Sequence, residues 1–193
     1  MQVNDLPTLA MDTLRDPRAT AERLIAMDLG LPTLWTALAL GAVLNALMFS
    51  VNLMLFPTTF PLPGLFSNPV LYAVAMAGGM VITMHLLTWV GGMMGGQGRL
   101  ADVTVVMVWL QYLRLAAQAV LLVLTMLMPA LALMATLVVA AYSLWLLVNF
   151  LVVAHRLGSL GKSVLVLVFS VVGVTIGLSF LMMLIGVPAT EAS

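Results

Sequence analysis

The chain contains no cysteine, which excludes disulfides, thiolate metal sites and cysteine nucleophiles. Charge is almost as scarce, with seven basic and seven acidic residues among 193, or 7%. A soluble domain carries about 25% charged residues, so this composition cannot furnish a water-facing surface. The formal net charge is zero, which argues against nucleic acid as a partner. Acidic residues are missing from the long apolar runs and there are two histidines. No paired carboxylates, Ser/His/Asp set or histidine-rich metal site can be assembled. An enzyme is therefore not expected, and no cofactor or metal is implied. Residues 1–30 mix charges of both signs and lack an apolar core segment, so no cleavable signal is visible. The first span is expected to target the chain by itself.

What remains is hydrophobic: 63% of residues, with a mean hydropathy of +1.19. That defines an all-α, polytopic membrane protein and a single bundle, with the lipid bilayer as its first partner. Five apolar runs are expected to span: Leu31 to about Phe56, Val70 to Met94, Val103 to Met128, Leu131 to Val153, and Val164 to Val187. Each exceeds the ~20 residues needed to cross a ~30 Å core, so tilt or overhang follows. Residues 57–64, with three prolines and no basic residue, read as a loop. Pro129 leaves so short a turn that spans three and four must be antiparallel neighbours. The organisation is thus a cytosolic amphipathic segment over 1–30, a membrane domain over 31–188 and a tail over 189–193.

Basic residues set the orientation. Arg15, Arg18 and Arg23 precede span one, Arg99 lies between two and three, and Arg156 and Lys162 lie between four and five. The opposite loops and the tail have no Lys or Arg. The positive-inside rule places the N-terminus in the cytosol and the C-terminus outside. Trp35, Trp89, Trp109 and Trp145 all fall toward the cytosolic side of their spans, as an interfacial belt requires.

Eight of the fourteen charged residues lie within 1–30. Asp16-Pro17 reads as a helix N-cap with proline at the first helical position. Arg18 and Glu22 stand four apart as a weak pair. Leu24, Ile25 and Met27 among polar neighbours suggest a helix lying against the membrane.

Arg114 is the one basic residue inside a span. If Trp109 marks the boundary, it lies about 7.5 Å inside, at ~1.5 Å per residue. Gln111, Arg114 and Gln118 share one face of span three by their spacing. His85 lies near the depth of Arg114, Asn45 near that of Gln118, and Asn149 adds an amide on span four. These six are the candidates for a polar groove opening to the cytosol, and with it for small-solute or metal-ion permeation. Helix–helix hydrogen bonding accounts for the same residues without any ligand, and Arg114 taken alone reads as an arginine snorkelling toward cytosolic lipid phosphates. Met76, Met80 and Met84 with His85 form a stripe that suits Cu(I), although methionine is also a common core filler. Gly91/Gly95 and Gly92/Gly96 read as close-packing pairs. Gly173 and Gly177 read as a helix contact that would also serve a homo-oligomer seam. Residues 158–163, GSLGKS, end like a phosphate-binding loop, but Arg156 stands where glycine is needed and no strand precedes it.

Two stretches carry a family resemblance. One is Gly95-Gly96-Gln97-Gly98-Arg99-Leu100-Ala101-Asp102-Val103, a glycine turn and polar position opening the third span. The other runs from Trp145 through His155-Arg156-Leu157 to Ser159-Leu-Gly-Lys162-Ser163. Both resemble the Yip family of multi-pass proteins, named for interaction with Ypt/Rab GTPases. The resemblance implies five spans, a cytosolic N-terminus and a non-enzymatic protein that organises membrane or binds a protein partner. The contact face would be residues 1–30 and the turns 91–102 and 154–163, with Arg99, Asp102, Arg156 and Lys162 upon it. The short N-terminal segment is similar to prokaryotic members, which implies the inner (plasma) membrane.

Overall fold

The structure, a computed structural model, describes residues 6–57 and 68–184. The expected 57–64 loop falls almost wholly outside that range, as do the tail and the end of span five. Seven helices and no strand occur among the described residues: α1 Leu6–Arg15, α2 Pro17–Ala26, α3 Leu31–Leu55, α4 Pro69–Met93, α5 Leu100–Leu127, α6 Pro129–Ala154 and α7 Leu160–Leu184. The last five are each long and apolar enough to cross a membrane.

Local chemistry sets the breaks. The Asp16 carboxylate accepts from the Ala19 amide at 3.1 Å, and Pro17 opens α2. Asn68 caps α4 by accepting from Val70 N at 2.9 Å and Leu71 N at 3.2 Å, ahead of Pro69. Pro129 lacks the N–H needed to continue α5 and begins α6 instead. The turn expected over 154–163 is shorter, because α7 starts at Leu160. Ser159 Oγ accepts from Lys162 N at 3.3 Å, which draws Lys162 and Ser163 into the first turn of α7.

The spans contact one another in the closed order α3, α5, α6, α7, α4, with α4 also touching α5 across the ring. The α5–α6 contact is the most extensive, as expected of helices separated by one residue. The core is thickest at the basic end, around Leu87, Val103, Val106, Phe150, Leu151 and Val166. A second cluster of Leu38, Met84 and Val108 continues it inward. Farther along, Leu127, Leu133 and Val138 stand about two-thirds exposed or more, at 74%, 68% and 67%. A continuous apolar surface at that exposure marks a face that lipid or another protein covers.

α1 and α2 complete the basic end. α2 packs on α6 and α5, so Ala21 and Leu24 are buried against protein and not laid on the membrane. The Arg18–Glu22 pairing expected from spacing does not form, because Arg18 turns to α6. Arg23 instead bridges back to Asp12 of α1 at 2.8 Å.

Candidate functional site

The basic end is held together around His155, the C-cap of α6. Its ring is fully buried, with Nε2 2.9 Å from the Leu87 carbonyl and Nδ1 3.2 Å from that of Leu151. The Leu151 carbonyl already accepts from the His155 amide at 3.1 Å. A neutral ring has one N–H, so that proton belongs on Nε2, donating to Leu87. Burial pushes the imidazole below its ordinary range, against the opposing pull of both carbonyls and Asp102. Three glycines make room for it. A Cβ on Gly91 would stand 2.0 Å from His155 Cδ2, and one on Gly98 2.5 Å from the Ala154 carbonyl. A Cβ on Gly96 would stand 2.8 Å from the Gly91 carbonyl. The Gln97 amide then donates to the His155 carbonyl at 2.9 Å, tying the 94–99 turn to the end of α6.

Beside it, Asp102 is 2% exposed in the first turn of α5. Its carboxylate accepts from the Arg99 amide at 3.2 Å and from Arg99 Nη2 at 3.0 Å. Arg99 Nη2 also reaches Asp28 at 3.1 Å, so the α2–α3 turn is drawn to the same guanidinium. These bonds, Asp102 first, hold Arg99 still further above its ordinary range. Arg156 approaches Asp102 at 3.9 Å and donates to the Gln97 carbonyl at 3.3 Å. Its φ of +54° is the left-handed conformation that glycine usually takes after a helix. On the other side, Arg18 Nε donates to Asn149 Oδ1 at 2.9 Å. Arg18, Glu22, Asp102 and Arg156 line an open cavity of about 570 Å³ between α2 and the end of α6.

The sequence-derived candidates separate into three places. Arg99, Asp102 and Arg156 meet in the cluster just described, whereas Lys162 stands apart on α7. Asn149 joins that end by receiving Arg18. Asn45 and Gln118 line a different cavity of about 280 Å³ with Asn52, Thr125 and Thr136, toward the far end of the bundle. Gln111 does not line it: its amide is buried against Gly41, with neither polar atom hydrogen-bonded. His85 is exposed, stacked on Trp35 with ring centroids 6.3 Å apart, and bonded to the Val81 carbonyl. Arg114 is exposed in a third place, a groove between α1, α5 and α6. The six groove candidates therefore share no single cavity. Nor does the Met76–His85 stripe converge, since Met84 is fully buried in the core and His85 faces outward. No cluster of three metal-ligating side chains occurs among the described residues.

Glycine spacing likewise resolves differently from the reading above. Gly91 and Gly96 seat His155, while a Cβ on Gly92 or Gly95 would meet nothing within 4 Å. A Cβ on Gly173 would meet Leu86 of α4 at an ordinary 3.5 Å, and one on Gly177 would meet nothing within 4 Å.

Sequence reasoning missed α1. Leu9 and Thr13 are buried, and Trp109 Nε1 donates to Thr13 Oγ1 at 3.0 Å. The Tyr142 hydroxyl donates to the Leu14 carbonyl at the other edge of the helix. Leu6, Met11 and Leu14 remain 41–52% exposed, Leu6 beside one apolar groove and Met11 and Leu14 beside another. An available signal was the presence of Trp109 and Tyr142 on apolar spans, two polar-tipped aromatics that each seek a hydrogen-bond partner when buried.

Five apolar helices closed on one another, with every described basic residue but Arg114 at one end, define an integral multi-pass membrane protein. The chain matches the Yip1 domain over residues 11–182 and belongs to that family, whose members are generally non-enzymatic membrane proteins. No curated protein and no solved structure matches the chain.

Proposed function

We propose that this protein is a non-enzymatic organiser of the membrane, acting through helical mass added to the cytosolic leaflet alone. The observation that carries this is α1, fastened by Trp109 and Tyr142 with Leu6, Met11 and Leu14 left 41–52% exposed. An amphipathic helix in that setting buries its apolar side at the headgroup–acyl boundary. Ten residues give α1 a footprint of about 150 Å², from ~15 Å of length and ~10 Å of diameter. The basic end carries seven helices and the far end five among the described residues, so the body is broader on the cytosolic side. In a prokaryotic cell the membrane concerned is the inner membrane.

The dispersal of Asn45, His85 and Arg114 supports this role over permeation, because no described path connects them. Reconstitution into vesicles of uniform starting diameter tests it. The wild-type chain should reduce vesicle diameter as protein is added, and Met11→Glu with Leu14→Glu should abolish the change. Vesicles that keep their size with the wild-type chain refute the proposal.

A second reading, a protein partner at the cytosolic face, is favoured by the Arg18, Glu22, Asp102 and Arg156 cavity. Its mixed charges offer both donors and acceptors outside the apolar region. Site-specific photocrosslinkers at Glu22 and Val153 should trap one defined partner. Partners trapped only from the opposite face would count against it.

A further inference from the structure

We infer that the groove between α1, α5 and α6 holds one anionic phospholipid, with its phosphate on Arg114 and an acyl chain along the groove. The groove has a volume of about 650 Å³ and is walled by Met11 and Leu14 of α1, Ala117 and Val120 of α5, and Val138 of α6. Arg114 is the single charged side chain in that lining. Its guanidinium has no hydrogen bond or ion pair among the described residues. The other long apolar helices offer no carboxylate, and Asp102, the acidic residue of α5, is committed to Arg99 three turns away. Five N–H donors thus stand at bilayer depth beside an apolar trough.

The matching occupant needs a doubly accepting anion and a hydrocarbon tail in one molecule. A phosphate oxygen pair meets the planar guanidinium in a two-point bond, and the trough takes the chain. Free phosphate lacks the tail. A protein partner would have to carry a carboxylate into the same apolar layer. The lining also has no acidic side chain to receive the ammonium of a zwitterionic headgroup, so a headgroup of net negative charge fits better. α1 forms one wall, and its anchors Trp109 and Tyr142 hold that wall in place. Lipid occupancy and α1 attachment are therefore coupled. The inference does not depend on any effect of the protein on vesicle shape.

Native mass spectrometry of the full-length chain, titrated in detergent with phosphatidylglycerol or phosphatidylcholine, tests it. One phosphatidylglycerol per chain should be retained, in preference to phosphatidylcholine. R114Q should weaken retention about tenfold, with R114K intermediate because it keeps charge without the fork. A117W should weaken it comparably by filling the trough while leaving the guanidinium intact. R156Q, at the separate cluster, should leave retention unchanged, and inorganic phosphate should not displace the lipid. Equal retention of both lipids, or retention by R114Q at the wild-type level, overturns the inference. So does undiminished retention by A117W, or loss caused by R156Q or by inorganic phosphate.

Discussion

Adjacent glycines on α4 offer a direct measure of how tightly the basic end is assembled. Alanine at Gly92 meets open space, and there the helix gains the usual advantage of alanine over glycine, about 1 kcal/mol. Alanine at Gly91 would place its Cβ 2.0 Å from His155 Cδ2 and 2.2 Å from Nε2. Neither atom is the end of a flexible chain, so the imidazole must leave its seat. Overpacking costs about 1–3 kcal/mol, and the lost Nε2–H donation to Leu87 costs about 1–3 kcal/mol more. After the helix gain of about 1 kcal/mol, G91A should be destabilised by about 1–5 kcal/mol. Unfolding in mixed micelles with increasing dodecyl sulfate, followed by tryptophan fluorescence and far-ultraviolet dichroism, resolves a difference of that size. Combining G91A with His155→Ala should cost less than the two single changes together, because the ring that clashes is gone. Equal stability of G91A and G92A would refute the reasoning, since the glycine cradle would then have no energetic content.

Asp102→Asn should destabilise by about 1–3 kcal/mol, because a 2% exposed acceptor of three Arg99 donors, the amide, Nε and Nη2, is weakened. Asp28→Asn should change stability by less than about 1 kcal/mol, since that carboxylate is 77% exposed; the same unfolding assay compares them. Trp109→Phe and Tyr142→Phe each remove one bond to α1. Hydrogen exchange over residues 6–15 should accelerate in both, by about 0.5–1.5 kcal/mol of opening energy each. Acid should also weaken the fold. Burial holds His155 below its ordinary 6.5, so the unfolded chain takes up the proton first. The stability that depends on the neutral ring is complete above pH 6.5 and falls as pH drops below it, until the folded ring protonates. A His155→Asn variant should lose that slope in unfolding midpoints measured between pH 8 and 5.

Much of this architecture is readable from residue order alone, because bilayer thickness converts apolar length directly into crossings. The five spans, the antiparallel third and fourth helices and the cap at Asp16-Pro17 all follow from such one-dimensional signals. Side-chain azimuth does not. His85 and Arg114 fall at similar depth when residues are counted from Trp89 and Trp109, yet one stacks on Trp35 and the other lies beneath α1. Counting along a span gives height in the bilayer and leaves the facing neighbour open. In a helix apolar on every side, no stripe supplies the missing angle. His155 was hidden for another reason: its partners are carbonyls and hydrogen atoms of glycine, which leave no side-chain pattern to read. The break between α1 and α2 was visible, but Thr13, Leu14 and Arg18 find partners 96, 128 and 131 residues away.

Those separations impose an order on biosynthesis. α1 and α2 leave the ribosome before the five spans, and Asn149 follows Arg18 by 131 residues. At ~5–20 residues per second, this gap lasts roughly 7–26 s, while successive segments are being inserted. During that interval the newborn N-terminal helices have no docking partner on α6, and their apolar sides must be sheltered by lipid or by a chaperone. The seam between α2 and the end of α6 can close only once Asn149 has emerged, and a nascent chain halted before Trp109, with neither anchor of α1 yet made, should leave residues 6–26 open to protease.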